Sequence, residues 1–117
     1  MKRFLQLCTL IIAFFCSVQV VNAAGIDKAD LEKRYDLKKG KEIYDESCGA
    51  CHGNGVLAAP KFCDVTAWKP LIDKGMDTLV KHAIDGFNSM PANGGLSNLT
   101  LEEAGNVVAY MVDQCLF

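Results

Sequence analysis

The sequence predicts a small all-α domain. Apolar residues recur at helical spacing between loops that contain Gly and Pro, and no segment shows strong strand-like alternation. The first 24 of 117 residues read as an export signal, which leaves 93, one domain with little apolar surface to bury. The third observation is Cys48-Gly49-Ala50-Cys51-His52. Two thiols one helical turn apart reach the two vinyl groups of a haem, and the next residue places an imidazole under the iron. Helices wrapped around one covalently attached haem would give this short chain the core it lacks.

The elements follow in order. Lys2 and Arg3 precede an apolar run from Phe4 to Val21, and small residues follow at Ala23 and Ala24. This is the layout of a cleaved secretory signal over residues 1–24. An uncleaved anchor is the alternative, but Gln6, Thr9, Ser17 and Gln19 interrupt the run. Residues 25–37 read as a surface extension or partial helix. Residues 38–117 form the domain proper. Lys38 to Gly49 reads as the helix that delivers the haem cysteines, with Gly40 marking a close approach by another backbone. Gly53 to Lys61 is a loop. Asp64 caps a helix reaching about Lys74, and Asp77 caps another over Thr78 to Asp85, closed by Gly86. Asn88 to Asn98 is a turn-rich loop. Thr100 and Glu103 form a capping box for the last helix, whose apolar face includes Val107, Val108, Met111 and Cys115.

Charge and cysteine usage narrow the function. Residues 1–24 hold two basic side chains and no acid, so the remainder carries ten basic and fourteen acidic groups, a net of −4. That argues against nucleic acid and anionic membrane surfaces, and suits a partner with a basic patch. Cys48 and Cys51 take the haem. A thioredoxin-like pair needs a βαβ setting, and a zinc site needs two further ligands, and neither is present in the sequence. Of the six cysteines, Cys8 and Cys16 leave with the signal, so Cys63 and Cys115 remain. In an oxidising compartment they can form a disulfide across 52 residue steps, or stay as two buried thiols.

The haem iron needs a second axial ligand. Met90 lies in a loop and is followed by Pro91, which stiffens its approach. Met111 sits on the apolar face of the last helix and reads as core; Met76 sits at a helix start, where either role is open. His82 is the rival, as a bis-His partner of His52. A haem filled on both faces has no open position for substrate, which points to an electron carrier rather than an enzyme. Pro60 can offer its carbonyl to the second ring nitrogen of His52, or simply end its loop. Trp68, Phe62, Tyr44, Phe87 and Tyr110 read as haem wall or core.

Taken together, Gly40-Lys41-x-Ile43-Tyr44-x-x-x-Cys48-x-x-Cys51-His52-Gly53, Gly55-Val56-x-x-Ala59-Pro60-Lys61, Gly75-Met76-Asp77-Thr78-Leu79 and Gly86-Phe87-Asn88-x-Met90-Pro91 resemble the class I c-type cytochromes, above all the bacterial cytochrome c5 group. The resemblance covers Lys38 to Leu116. It implies the small class I cytochrome c fold, with the first and last helices crossing at Gly40 against Tyr110. It implies His52 and Met90 as axial ligands, with Pro60 supporting His52. Members of that group often carry a Cys pair shortly after the Gly-Gly that follows the ligand Met; here Leu96-Ser97-Asn98-Leu99 follows instead. The expectation is a periplasmic mono-haem carrier of single electrons. Its donor would be a quinol-oxidising complex or another reductant, and its acceptor a terminal oxidase or periplasmic reductase. A haem enzyme or gas sensor with an open sixth position is the competing expectation.

Overall fold

A computed structural model describes residues 25–116. The expected signal segment lies outside the described residues. Helix α1 (Lys28–Arg34) starts at Asp27, whose carboxylate accepts from the Ala29 N–H at 2.9 Å. Leu31 in α1 is fully buried, so this segment belongs to the core and is more than a surface extension. Helix α2 (Leu37–Ile43) starts at Asp36, which accepts from the Lys39 N–H. The Asp36 N–H donates to the Asn106 side-chain oxygen at 2.9 Å, tying the start of α2 to the last helix.

The helix expected over 38–49 is not one continuous α-helix. After Ile43 the chain makes a π-helical turn, Tyr44–Cys48, before a single α-turn, α3 (Gly49–His52). The Gly49 N–H reaches back to the Tyr44 carbonyl, five residues earlier. π-Turns arise where one extra residue is held inside a helix, often beside a functional site. Here the turn directly precedes the Cys-x-x-Cys-His segment.

Helix α4 (Val65–Ile72) is capped by Asp64, as expected, and Pro70 lies inside it without ending it. Helix α5 (Met76–Asp85) begins earlier than its sequence suggests. Its flanking residue is Gly75, at φ +86°, rather than Asp77, which lies in the first turn beside the positive helix end. Gly86 closes α5 at φ +84°. A Cβ there would lie 2.8 Å from the Met90 carbonyl oxygen, so the following turn can close only over glycine.

Helix α6 (Leu101–Cys115) is the centre of the fold. Its Thr100–Glu103 capping box is complete on both sides. Val107 and Val112 are among the most deeply buried side chains, and α2 and α5 both pack on this helix. At the α2–α6 crossing, a Cβ on Gly40 would lie 2.1 Å from the Asn106 carbonyl oxygen and 2.9 Å from Tyr110 Cβ. The two backbones therefore meet at contact distance. Tyr110 packs beside Tyr44 and Phe62, with ring centres 5.7 and 5.8 Å away.

Candidate functional site

Enclosed by these helices is a cavity of about 420 Å³, within the size range of cofactor sites. Cys48, Cys51, His52 and Met90 all line it. Apolar groups of α4, α5 and α6, among them Leu71, Leu79 and Val108, make much of the remaining wall. Cys48 and Cys51 are half-buried, and burial pushes the Cys48 thiol up from its ordinary value. His52 is 8% exposed. Its Nδ1 lies 3.0 Å from the Pro60 carbonyl oxygen. With Nδ1 as donor to that oxygen, Nε2 is left with its lone pair, the form of imidazole that binds a metal.

The loop that follows is pinned residue by residue. Pro60 accepts from His52. The Lys61 carbonyl accepts from the Trp68 indole N–H at 2.9 Å. The Phe62 N–H donates to the His52 carbonyl at 2.7 Å. The Cys63 N–H faces Cys115 Sγ at 3.1 Å. Sequence reasoning gave Trp68 a place in the haem wall or core and did not foresee its bond to Lys61. The missed signal was local: with Asp64 as cap, Trp68 falls one turn in, where its ring can reach back over residue 61. Trp68 is buried, with its ring centre 6.1 Å from that of His52.

The Met90 side is held by a tight reversal. Phe87 and Met90 exchange both backbone hydrogen bonds, at 2.9 and 3.0 Å, with Asn88 at φ +52°. The three expected candidates separate. Met76 is buried and does not line the cavity, Met111 lines it as a buried side chain of α6, and Met90 enters from the loop. His82 also lines the cavity, but its ring is stacked flat on Phe87, centres 4.0 Å apart and 9° from parallel.

The donor set suits a haem. Among the described residues no group of three His, Cys, Asp or Glu side chains gathers to cage an ion. Imidazole and thioether side chains around a largely apolar cavity fit an iron whose remaining ligands come from a porphyrin.

Residues 36–111 match the family model described as cytochrome C oxidase, cbb3-type, subunit III. Cytochrome c-555 of Chlorobaculum tepidum is 49% identical over 104 residues, covering 86% of this chain and 95% of that protein. The chain belongs to the class I c-type cytochromes. Cytochrome c5 of Ectopseudomonas mendocina is 37% identical over 76 residues, which are 63% of this cytochrome and 87% of that one. A chain in a crystal structure of an electron transfer complex of nitrite reductase with cytochrome c aligns at a TM-score of 0.66 and 34% identity, covering 70% of this cytochrome and 99% of that chain. The cytochrome thus has the small class I fold and carries one covalently attached haem c, for which Cys48 and Cys51 are positioned.

Proposed function

We propose that this cytochrome is a periplasmic carrier of single electrons with His52 and Met90 as axial ligands. The observation that carries the reading is the shared cavity of these two side chains, with His52 Nδ1 committed to Pro60 and its other nitrogen free. Bound haem supplies an iron that cycles between Fe(III) and Fe(II). The chain's part is to hold and tune it. Pro60 fixes the imidazole tautomer and ring plane, and so strengthens the nitrogen as a donor. A thioether from Met90 favours the reduced iron and raises the potential. The largely apolar wall would limit water around the bound haem and so keep reorganisation on electron transfer small.

If His52 and Met90 both bound the iron, no position would be open to a substrate, which would distinguish a carrier from a haem enzyme or gas sensor. Half-exposed Val56 and Phe87 and the more exposed Leu57 lie at the rim of the cavity and offer a contact surface near the haem edge. The donor would be a quinol-oxidising complex or another reductant. The acceptor would be a terminal oxidase or a periplasmic reductase, a class to which the nitrite reductase of the aligned complex lends support. The charged start and apolar run of residues 1–24 support export, and among the described residues no helix is long and apolar enough to cross a membrane.

The test is optical. Oxidised protein should show the weak near-infrared sulfur-to-iron band. Met90→Ala should abolish it and lower the potential, while Met111→Ala retains it. Rapid carbon monoxide binding by the reduced wild type would favour the open-site reading instead.

A further inference from the structure

Among the described residues, two cysteines have no part in the haem site. Cys63 is exposed, at the end of the loop that begins with Pro60; Cys115 is 3% exposed, at the last position of α6. They are 52 residues apart in sequence, yet the Cys63 N–H lies 3.1 Å from Cys115 Sγ, and Cys63 Sγ lies 3.4 Å from the Gln114 carbonyl oxygen. Both thiols therefore sit on the same end of α6. Cys63 also holds φ +60°, the left-handed region that glycine enters freely and other residues rarely do. A costly residue stands where a cheap one would turn the chain equally well, so its side chain, more than the turn, accounts for its presence.

We propose that Cys63 and Cys115 form a reversible disulfide clamp that fastens the His52-supporting loop to the end of α6. The reaction is thiol–disulfide exchange with a small dithio compound, RSSR. The exposed Cys63 thiolate attacks RSSR and releases one RS⁻, leaving a mixed disulfide on Cys63. The Cys115 thiolate then attacks Cys63 Sγ and releases the second RS⁻. The two protein thiols give up two protons and two electrons, and RSSR becomes two RSH. Burial, with help from the neighbouring Cys63 thiol, pushes the Cys115 thiol up to about 12, so the closing step is slow at neutral pH and speeds up as pH rises. Because Cys63 faces solvent, an external thiol can attack the bridge and reopen it, as expected of exposed disulfides.

Its reach to the haem runs through three consecutive residues. Phe62 donates to the His52 carbonyl, Lys61 accepts from Trp68, and Pro60 accepts from the His52 ring. Closing the bridge holds these contacts shut; opening it leaves Cys63 held to α6 by weak sulfur contacts. The bridge is independent of the carrier reading, and only its effect on the haem ligand rests on it.

The experiment uses the haem-loaded protein after removal of residues 1–24, which hold Cys8 and Cys16, with its iron kept ferrous by ascorbate. After equilibration with glutathione disulfide, alkylation under denaturing conditions should label no cysteine, and the mass should be two hydrogens below that of the dithiol. After dithiothreitol, two cysteines should label while the haem stays attached. Exchange of the Phe62 amide with deuterated water should then be about tenfold faster, with the Met90 amide unchanged. In Cys63→Ser both treatments should give one exchange rate. Two labelled thiols after oxidation, a stable glutathione adduct on Cys63, or a disulfide-linked dimer would each overturn the bridge. A closed bridge with an unchanged Phe62 rate would overturn the clamp alone, leaving the carrier reading untouched.

Discussion

His52 is held by its ring nitrogen and by its own carbonyl, both to the same short loop, and Trp68 braces that loop from behind. The indole N–H is therefore structural. Trp68→Phe keeps most of the apolar contact but leaves the Lys61 carbonyl without its donor, at a cost of about 1–2 kcal/mol. For a domain of this size each kcal/mol lowers the melting temperature by roughly 4–8 °C, which calorimetry on the holoprotein would read. No drop would mean that water replaces the indole. His52 and the haem cysteines were legible because their chemistry demands a fixed spacing. Met90 stands apart in the sequence because a loop and a proline separate it from the helical methionines, and its side chain does line the cavity. The Trp68 bond was hidden because it depends on how a loop folds back, and no periodicity encodes that.

Helix termini were read well where the signal is local. Asp64, Gly86 and the Thr100–Glu103 box each cap or close the helix expected of them, because each bonds within a few residues. The start of α5 was misplaced. Asp77 looks like a cap, but Gly75 already takes a backbone conformation that only glycine accepts easily, and the helix begins directly after it. Glu103 makes a pH-dependent contribution. The Thr100 backbone N–H, and then its hydroxyl, hold this carboxylate below the usual glutamate range. A depressed folded-state pKa stabilises above the ordinary glutamate value, and that contribution is lost as pH falls through the folded value. Glu103→Gln keeps an acceptor without the charge. The wild type's thermal advantage over it should therefore shrink between about pH 6 and about pH 3. Gly40→Ala tests the helix crossing. Alanine would add up to about 1 kcal/mol of helix propensity, but its Cβ would fall inside the Asn106 carbonyl. Separating α2 from α6 costs roughly 1–3 kcal/mol or more. The clash wins, and denaturant melts should show net destabilisation.

For the molecule as a whole, the prosthetic group is part of the core. An empty apolar cavity of about 420 Å³ would cost up to about 10 kcal/mol at roughly 24 cal/mol per Å³. The mouth admits water, so this is an upper bound, but it is comparable to the entire stability of an ordinary domain. Double replacement of Cys48 and Cys51 by serine should therefore give a chain with much reduced far-ultraviolet helical signal, restored in part by added haem. A fully helical apoprotein would show that the helices stand without it. The net charge of −4 outside residues 1–24 gives a second whole-molecule prediction. Electron transfer to a partner with a basic docking face should slow as ionic strength rises, because surface attraction is screened within about 10 Å at 0.1 M salt. Fold class was legible at this scale from composition and one motif. The place of residues 25–37 was not, because a mixed, charged segment gives no sign that Leu31 will reach the core.

The π-helical turn at Tyr44–Cys48 makes the distance between the helix crossing and the haem thiols a counted length. Upstream, Gly40 fixes the rotation of α2 by its contact with α6; downstream, Cys48 and Cys51 must present to the cavity. An α-helix advances about 100° per residue. Inserting a residue beside Glu46, beyond the one the wide turn already absorbs, would swing everything after it through about that angle. The cysteines would still be a matched pair, and His52 would still follow them, but all three would face a different part of the molecule. In lineages of this protein, short insertions should be found in the loops and be absent between Gly40 and Cys48, where a single residue resets the phase of the site.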